Sequence, residues 1–152
     1  MSEEKKYKII MLIDDNEIDN LINQKIVEAS NICENIFSHT GGKSAIEFLK
    51  NMEKIASAIE ALPEVIFLDI DMPLMDGFQF LDEFEVLTEA TKAHCKIVML
   101  TSSINPQDMN KSQKYPFVKK VREYYIVWVS MIGFYLFLHA LKQYTPLHCT
   151  FV

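Results

Sequence analysis

Residues 65–77 read VIFLDIDMPLMDG, a run of four apolar residues that passes directly into acids, a proline and a glycine. Val65 to Leu68 is short and contains β-branched residues, which is typical of a buried strand. Asp69 and Asp71 follow the run at once, and Gly77 marks the end of a turn. The stretch therefore predicts a buried strand with two acids at its carboxyl end.

Three further apolar runs resemble this strand, at Ile9 to Ile13, Ile36 to Phe37 and Ile97 to Leu100. The segments between the runs have the spacing of amphipathic helices. The first segment places apolar residues on one face and polar residues elsewhere; the apolar set is Ile18, Leu21, Ile22, Ile26 and Ala29, and the polar set is Glu17, Asn20, Asn23 and Glu28.

Three more helices are predicted from the same kind of pattern. Ala45 to Leu62 has apolar residues at helical spacing, and Phe78 to Leu87 repeats it. A further helix begins at Asn105, a good cap, followed by Pro106 in the first turn. Strands that alternate with helices predict an α/β fold, a doubly wound parallel sheet with helices on both faces.

Ligand sites in such sheets form at the carboxyl ends of the strands, so the residues that follow each run are the candidate site. Asp14 and Asp15 follow the first run, Asp69 and Asp71 the third, and Thr101 the fourth. Carboxylates brought together repel one another, and a hard cation such as Mg2+ prefers oxygen ligands. Thr101 supplies a hydroxyl that would hydrogen-bond a phosphoryl oxygen. The sequence therefore predicts a magnesium site able to receive phosphate.

Three segments together resemble the receiver domain of response regulators, as in the bacterial chemotaxis regulator. They are IMLIDDN at 10–16, FLDIDMPLMDG at 67–77 and IVMLTSS at 97–103, and the resemblance covers about residues 8–121. It implies a flavodoxin-like receiver domain at 1–122, used as a signalling module in a phosphorelay and not as an enzyme.

The resemblance also implies roles for individual residues. Asp69 would accept a phosphoryl group from a histidine kinase or a phosphotransfer protein. Asp15 and Asp69 would bind Mg2+ directly, together with the main-chain carbonyl of Asp71, and Asp14 would bind it through water. An unknown downstream protein would receive the signal.

The chain departs from the family at its fifth strand. The family has a Lys followed by Pro there, and by spacing this Lys should fall near position 124, where Tyr124 and Tyr125 stand. Lys119 and Lys120 come some four residues early and lack the Pro. A pseudo-receiver that binds partners without a working switch is therefore an alternative. Asp69 and Asp71 also resemble the acids of haloacid-dehalogenase phosphatases, but Pro73 does not fit that motif.

Composition excludes some function classes. Acids outnumber bases by 21 to 15, for a formal charge of -6, whereas nucleic-acid surfaces need clustered Lys and Arg. We therefore expect no nucleic-acid partner. The three cysteines form no paired motif, which favours a reducing cytoplasm over a disulfide framework or a zinc site.

Residues 123–152 form an atypical hydrophobic C-terminal segment. Tyr124 to Leu141 contains 18 residues without Asp, Glu, Lys or Arg. This length is at the lower limit for spanning a bilayer, and a receiver's last helix would be amphipathic instead. Three explanations stay open: a membrane anchor or self-association segment, a degraded or frame-shifted receiver end, or a buried strand and helix. The first would place a cytoplasmic receiver at a membrane.

Overall fold

A computed structural model describes residues 5–55, 59–101 and 105–121. Strands and helices alternate along these residues, except that two helices lie between the third and fourth strands. The strands are β1 (Tyr7–Ile13), β2 (Cys33–His39), β3 (Val65–Asp69), β4 (Lys96–Leu100) and β5 (Val118–Val121). The helices are α1 (Glu17–Ser30), α2 (Gly42–Glu53), α3 (Gly77–Glu85), α4 (Glu89–His94) and α5 (Pro106–Ser112), with one 3-10 turn at Ile59–Ala61.

The five strands form one parallel sheet in the order β2-β1-β3-β4-β5. The prediction of a doubly wound parallel sheet is confirmed. β5 was not among the predicted apolar runs because residues 118–121 read VKKV, which lacks a continuous apolar stretch. Its position at the edge of the sheet, beside β4, does not require one.

Alternation along the strands divides the core into two layers. One layer lies under α2 and α3 and contains Met11, Leu68 and Phe84. The other contains Leu12 and Phe67, together with residues of α1. Each central strand is thus buried on both faces, which explains why these strands are apolar throughout.

The buried face of α1 is not the predicted apolar face. Ile18 and Leu21 are 68% and 56% exposed, whereas Asn20 is only 4% exposed. Ile22 and Ala29 are also exposed, and burial is confirmed only for Ile26. The prediction was wrong because periodicity identifies a helical face without identifying what that face will meet. Here the inner face places Asn20 against the carboxyl ends of β1 and β2, and Ile26 and Val27 against apolar residues of the sheet.

Two helix boundaries also differ from the sequence pattern. The helix predicted for Ala45 to Leu62 is α2, which begins at Gly42 and ends at Glu53, and Ile55 and Ile59 are exposed. The third predicted helix ends at Glu85, two residues early, and is followed by the unpredicted short helix α4. Leu81, Phe84 and Leu87 are nevertheless buried as predicted.

Side-chain caps fix the starts of the helices that flank the sheet's carboxyl edge. The Asn16 side chain accepts hydrogen bonds from the backbone N–H groups of Ile18 and Asp19 at the start of α1. Asp76 and Gln79 form a reciprocal capping box at the start of α3. Asn105 caps α5, with Pro106 in the first turn, as predicted.

Among the described residues, every helix is too short or too polar to cross a bilayer. Tyr124 to Leu141 lies outside the described residues, and so does the remainder of the segment 123–152. The three explanations for that segment stay predictions.

Candidate functional site

The candidate site lies where three neighbouring strands end. β1 ends at Ile13, directly before Asp14 and Asp15, and its neighbour β3 ends at Asp69. Carboxylate oxygens of these three acids all lie within 4.8 Å of one another. The sequence predicted this convergence from the parallel topology alone, and the geometry agrees with it.

Asp14 is the most enclosed of the three acids. The residue is buried, and its Oδ1 accepts a hydrogen bond of 2.9 Å from the backbone N–H of Asn16. Burial raises the pKa of the Asp14 carboxyl, and the hydrogen bond from Asn16 lowers it in part. The charges of the nearby Asp19 and Asp15 raise it further. Asp15, by contrast, is exposed.

Asp69 has the most perturbed carboxyl group of the cluster. Burial, with a further contribution from the charge of Asp14, raises its pKa from 3.8 to about 6. Backbone hydrogen bonds from Asp71 and Ile70 oppose the rise without cancelling it. A perturbed carboxyl beside like charges marks a candidate functional group.

Thr101 follows β4, whose last residue Leu100 is paired with Asp69 in the sheet register. The backbone N–H of Ile70 donates to the Leu100 carbonyl at 3.0 Å, so the two strand ends stay together beyond the last ladder pair. Thr101 is buried and lies one residue beyond this contact. The topology therefore places its backbone at the same edge as Asp69.

Gly77 allows the loop after Asp69 to fold back on its own strand. Its backbone N–H donates to the Ile70 carbonyl at 2.9 Å. A Cβ atom on Gly77 would lie 2.8 Å from the Asp69 carbonyl oxygen and 2.9 Å from the Ile70 Cα, closer than real contacts allow. At the tip of this loop, Leu74 has a φ of 69°, in the left-handed region, and its side chain is fully exposed.

Lys119 and Lys120 lie in β5, and Lys120 is the register partner of Val98 in β4. Position 124, where the family's Lys would fall, lies outside the described residues. The role of a Lys at this site stays a prediction.

Sequence reasoning missed Asn20, which was assigned to the solvent side of α1. Its Nδ2 donates to the main-chain carbonyl of Asp14 at 2.7 Å and to that of His39 at 2.9 Å. One feature of the sequence could have indicated this burial. Asn20 lies on the same helical face as Val27, which is the most deeply buried residue of α1.

The donor set fits a divalent cation. Three carboxylates at this separation repel one another, and each oxygen is the hard ligand type that Mg2+ or Mn2+ accepts. A cation would also favour the ionised form of Asp69, whose pKa is raised by burial and by the charge of Asp14.

Comparisons with known proteins agree with this geometry. The family model "Response regulator receiver domain" matches residues 10–120. The response regulator Rcp1 of Synechocystis sp. is 27% identical over 102 residues, 67% of each protein. A 75-residue part of the sensor histidine kinase CheAY of Helicobacter pylori is 36% identical, covering 49% of this chain and only 8% of that kinase.

Solved structures show the same fold. The crystal structure of a two-component response regulator from Cytophaga hutchinsonii covers 90% of this chain and 99% of its own, at a TM-score of 0.68 and 26% identity. The Mn2+-bound form of Rcp1 covers 90% of this chain and 93% of its own, at a TM-score of 0.65 and 22% identity. With its parallel sheet, its acidic edge and its match across residues 10–120, the chain belongs to the response regulator receiver domain family.

Proposed function

We propose that the chain accepts a phosphoryl group on Asp69 in two-component signal transduction. The donor would be the phosphohistidine of a histidine kinase or of a phosphotransfer protein. The convergence of Asp14, Asp15 and Asp69 at one edge of the sheet is the observation that supports this proposal most directly. Receiver-family membership over residues 10–120 supports the same conclusion.

Asp69 is the only protein group that forms a covalent bond in this reaction. A carboxylate oxygen of Asp69 attacks phosphorus, a new P–O bond forms, and the P–N bond of the phosphohistidine breaks. The leaving imidazole keeps the electron pair of that bond. Positioning and charge stabilisation then account for most of the rate, as in other phosphoryl transfers.

We propose that the cation is Mg2+. It would be held directly by Asp15, Asp69 and the main-chain carbonyl of Asp71, and through water by Asp14. Bound there, it would offset the negative charge of the acids and of the incoming phosphoryl group. The Mn2+-bound form of a related receiver, Rcp1, supports the choice of a divalent cation.

The hydroxyl of Thr101 would donate a hydrogen bond to a phosphoryl oxygen. Thr101 directly follows Leu100, which is the register partner of Asp69, and this backbone position supports the assignment. Such a hydrogen bond would link phosphorylation to the segment that leads from β4 to α5. An unknown downstream protein would then respond to the altered surface.

Labelling with acetyl phosphate tests the assignment. We expect phosphorylation of the full chain with Mg2+, and none in Asp69→Asn or after chelation of the cation. Asp76→Asn is the matched control, because Asp76 lies in the same loop but outside the acid cluster, and Asn also caps a helix well. Labelling that persists in Asp69→Asn, or without a divalent cation, would refute the proposal.

The second candidate is a pseudo-receiver, favoured by Tyr124 at the position of the family's Lys. Phosphorylation would then be poorly coupled to a change of shape. Amide spectra with and without beryllofluoride, which mimics the phosphoryl group, separate the two candidates. Large shifts in β5 and its neighbours would show that Lys119 or Lys120 takes the role of the family's Lys. Shifts confined to the acid cluster would indicate a pseudo-receiver.

The haloacid-dehalogenase alternative makes a different prediction. A phosphatase of that type would release inorganic phosphate repeatedly from an organic phosphate, whereas a receiver takes up one phosphoryl group per chain. A turnover assay with p-nitrophenyl phosphate distinguishes them.

For Tyr124 to Leu141 we propose membrane attachment or self-association of a cytoplasmic receiver. A segment apolar on all sides exposes more hydrocarbon surface than one sheet face can cover. Fractionation should therefore place the full chain with membranes or aggregates, and a chain ending at Arg122 should be more soluble. A full chain that stays monomeric without detergent would contradict this.

A further inference from the structure

Asn20 occupies an unexpected place on α1. It is 4% exposed, while its apolar neighbours Ile18 and Leu21 face the solvent. A helix that buried its most apolar face would have turned these two residues inward. The observed arrangement implies that the polar contacts of Asn20 help to decide which side of α1 meets the sheet.

The side-chain amide of Asn20 joins two strand ends. Its Nδ2 donates to the Asp14 carbonyl at 2.7 Å and to the His39 carbonyl at 2.9 Å, at the carboxyl ends of β1 and β2. The His39 carbonyl also accepts from the backbone N–H of Asp14 at 3.2 Å. One amide contact is therefore made to the segment that begins the acid cluster and the other to the end of the neighbouring strand β2.

The Asp14 carbonyl belongs to the peptide unit that links Asp14 to Asp15. A hydrogen bond to that oxygen restricts rotation of the peptide plane, and hence the directions in which the two carboxylates leave the backbone. Asn16 closes the arrangement, because its N–H donates to the Asp14 side chain while its own side chain caps α1, the helix that contains Asn20. The contacts form a closed cycle around the two acids.

Resting on the function proposed above, we propose that Asn20 is a positioning residue, which holds the Asp14–Asp15 peptide in the orientation that binds the divalent cation. Residues that orient metal ligands through hydrogen bonds affect metal affinity without touching the ion. Within the described residues, the buried Asn20 Oδ1 has no hydrogen-bond partner. A buried amide that leaves its acceptor unused is explained by its two donor contacts and not by packing.

The test compares Mg2+ binding by the full chain in four forms: wild type, Asn20→Leu, Asn20→Ser and Val27→Ala. Leu has the same branched side-chain shape and the same number of side-chain heavy atoms as Asn but cannot donate, and Ser is too short to reach both carbonyls. Val27→Ala removes a buried side chain of the same helix without touching the acids, so it controls for lost stability. Isothermal titration gives the Mg2+ affinity, urea unfolding gives the stability, and acetyl phosphate gives the labelling rate.

We expect both Asn20 variants to bind Mg2+ about 10- to 100-fold more weakly, while the labelling rate at saturating Mg2+ stays within a fewfold of wild type. Val27→Ala should lose about as much stability as the Asn20 variants but should bind Mg2+ with wild-type affinity. The inference is overturned if the folded Asn20 variants bind Mg2+ like wild type, or if Val27→Ala weakens binding equally. A wild type that neither binds Mg2+ nor becomes labelled would instead refute the proposed function together with the inference.

Discussion

The raised pKa of Asp69 predicts that the acid cluster destabilises the metal-free protein. Substituting Asp69→Asn removes the charge and keeps the shape of the side chain, so we expect the variant to be more stable than wild type near pH 7 without divalent cations. The shift from 3.8 to about 6 spans about two pKa units, and each unit corresponds to about 1.4 kcal/mol. Because Asp69 is only partly buried, solvent screening reduces the expected gain to about 1–2 kcal/mol.

The sign of the pH dependence follows from proton linkage. A carboxyl whose pKa is raised in the folded state binds its proton more tightly there, so wild type loses stability as pH rises from about 4 to about 6. The advantage of Asp69→Asn should therefore be complete above about pH 6 and disappear near pH 4. With Mg2+ the advantage should shrink or reverse, because wild type gains more free energy from the cation.

Urea unfolding in chelator at several pH values measures this difference directly. Glu34→Gln, which changes an exposed acid on β2, is the control and should alter stability by less than about 0.5 kcal/mol. The reasoning fails if Asp69→Asn is no more stable than wild type near pH 7. It also fails if the gain persists at pH 4, since the cause would then not be charge.

Three further predictions concern the scaffold, all measured by urea unfolding. Gly77→Ala should cost about 1–3 kcal/mol because its Cβ would meet the backbone at the end of β3, whereas Gly41→Ala, with nothing within 4 Å, should cost much less. Tyr115→Phe should cost about 1–2 kcal/mol, because it removes the 2.5 Å hydrogen bond from the Tyr115 hydroxyl to Asp82; equal stability would show that solvent replaces this bond. Asp76→Ala should cost about 1 kcal/mol through loss of the α3 capping box, and Asp76→Ser should recover most of it.

The class of fold and the convergence of the acids follow from the pattern of residues along the chain. Continuous apolar runs at Ile9 to Ile13 and Val65 to Leu68 can only be covered on both sides, and helical segments between them force parallel crossovers. Parallel strands end at one edge, so acids that follow two neighbouring strands meet there whatever the details of packing. That argument needs no knowledge of any individual contact.

The buried face of α1, the formation of β5 and the pKa of Asp69 depend instead on packing between distant segments. Helical periodicity in residues 17–30 defines two faces, but the choice between them depends on the folded sheet, where Asn20 donates to two main-chain carbonyls at the ends of β1 and β2. β5 forms because β4 offers an unpaired edge, not because VKKV is a strong strand sequence. The pKa of Asp69 depends on burial and on its distance from Asp14, and these arise only when segments more than 50 residues apart in sequence pack together.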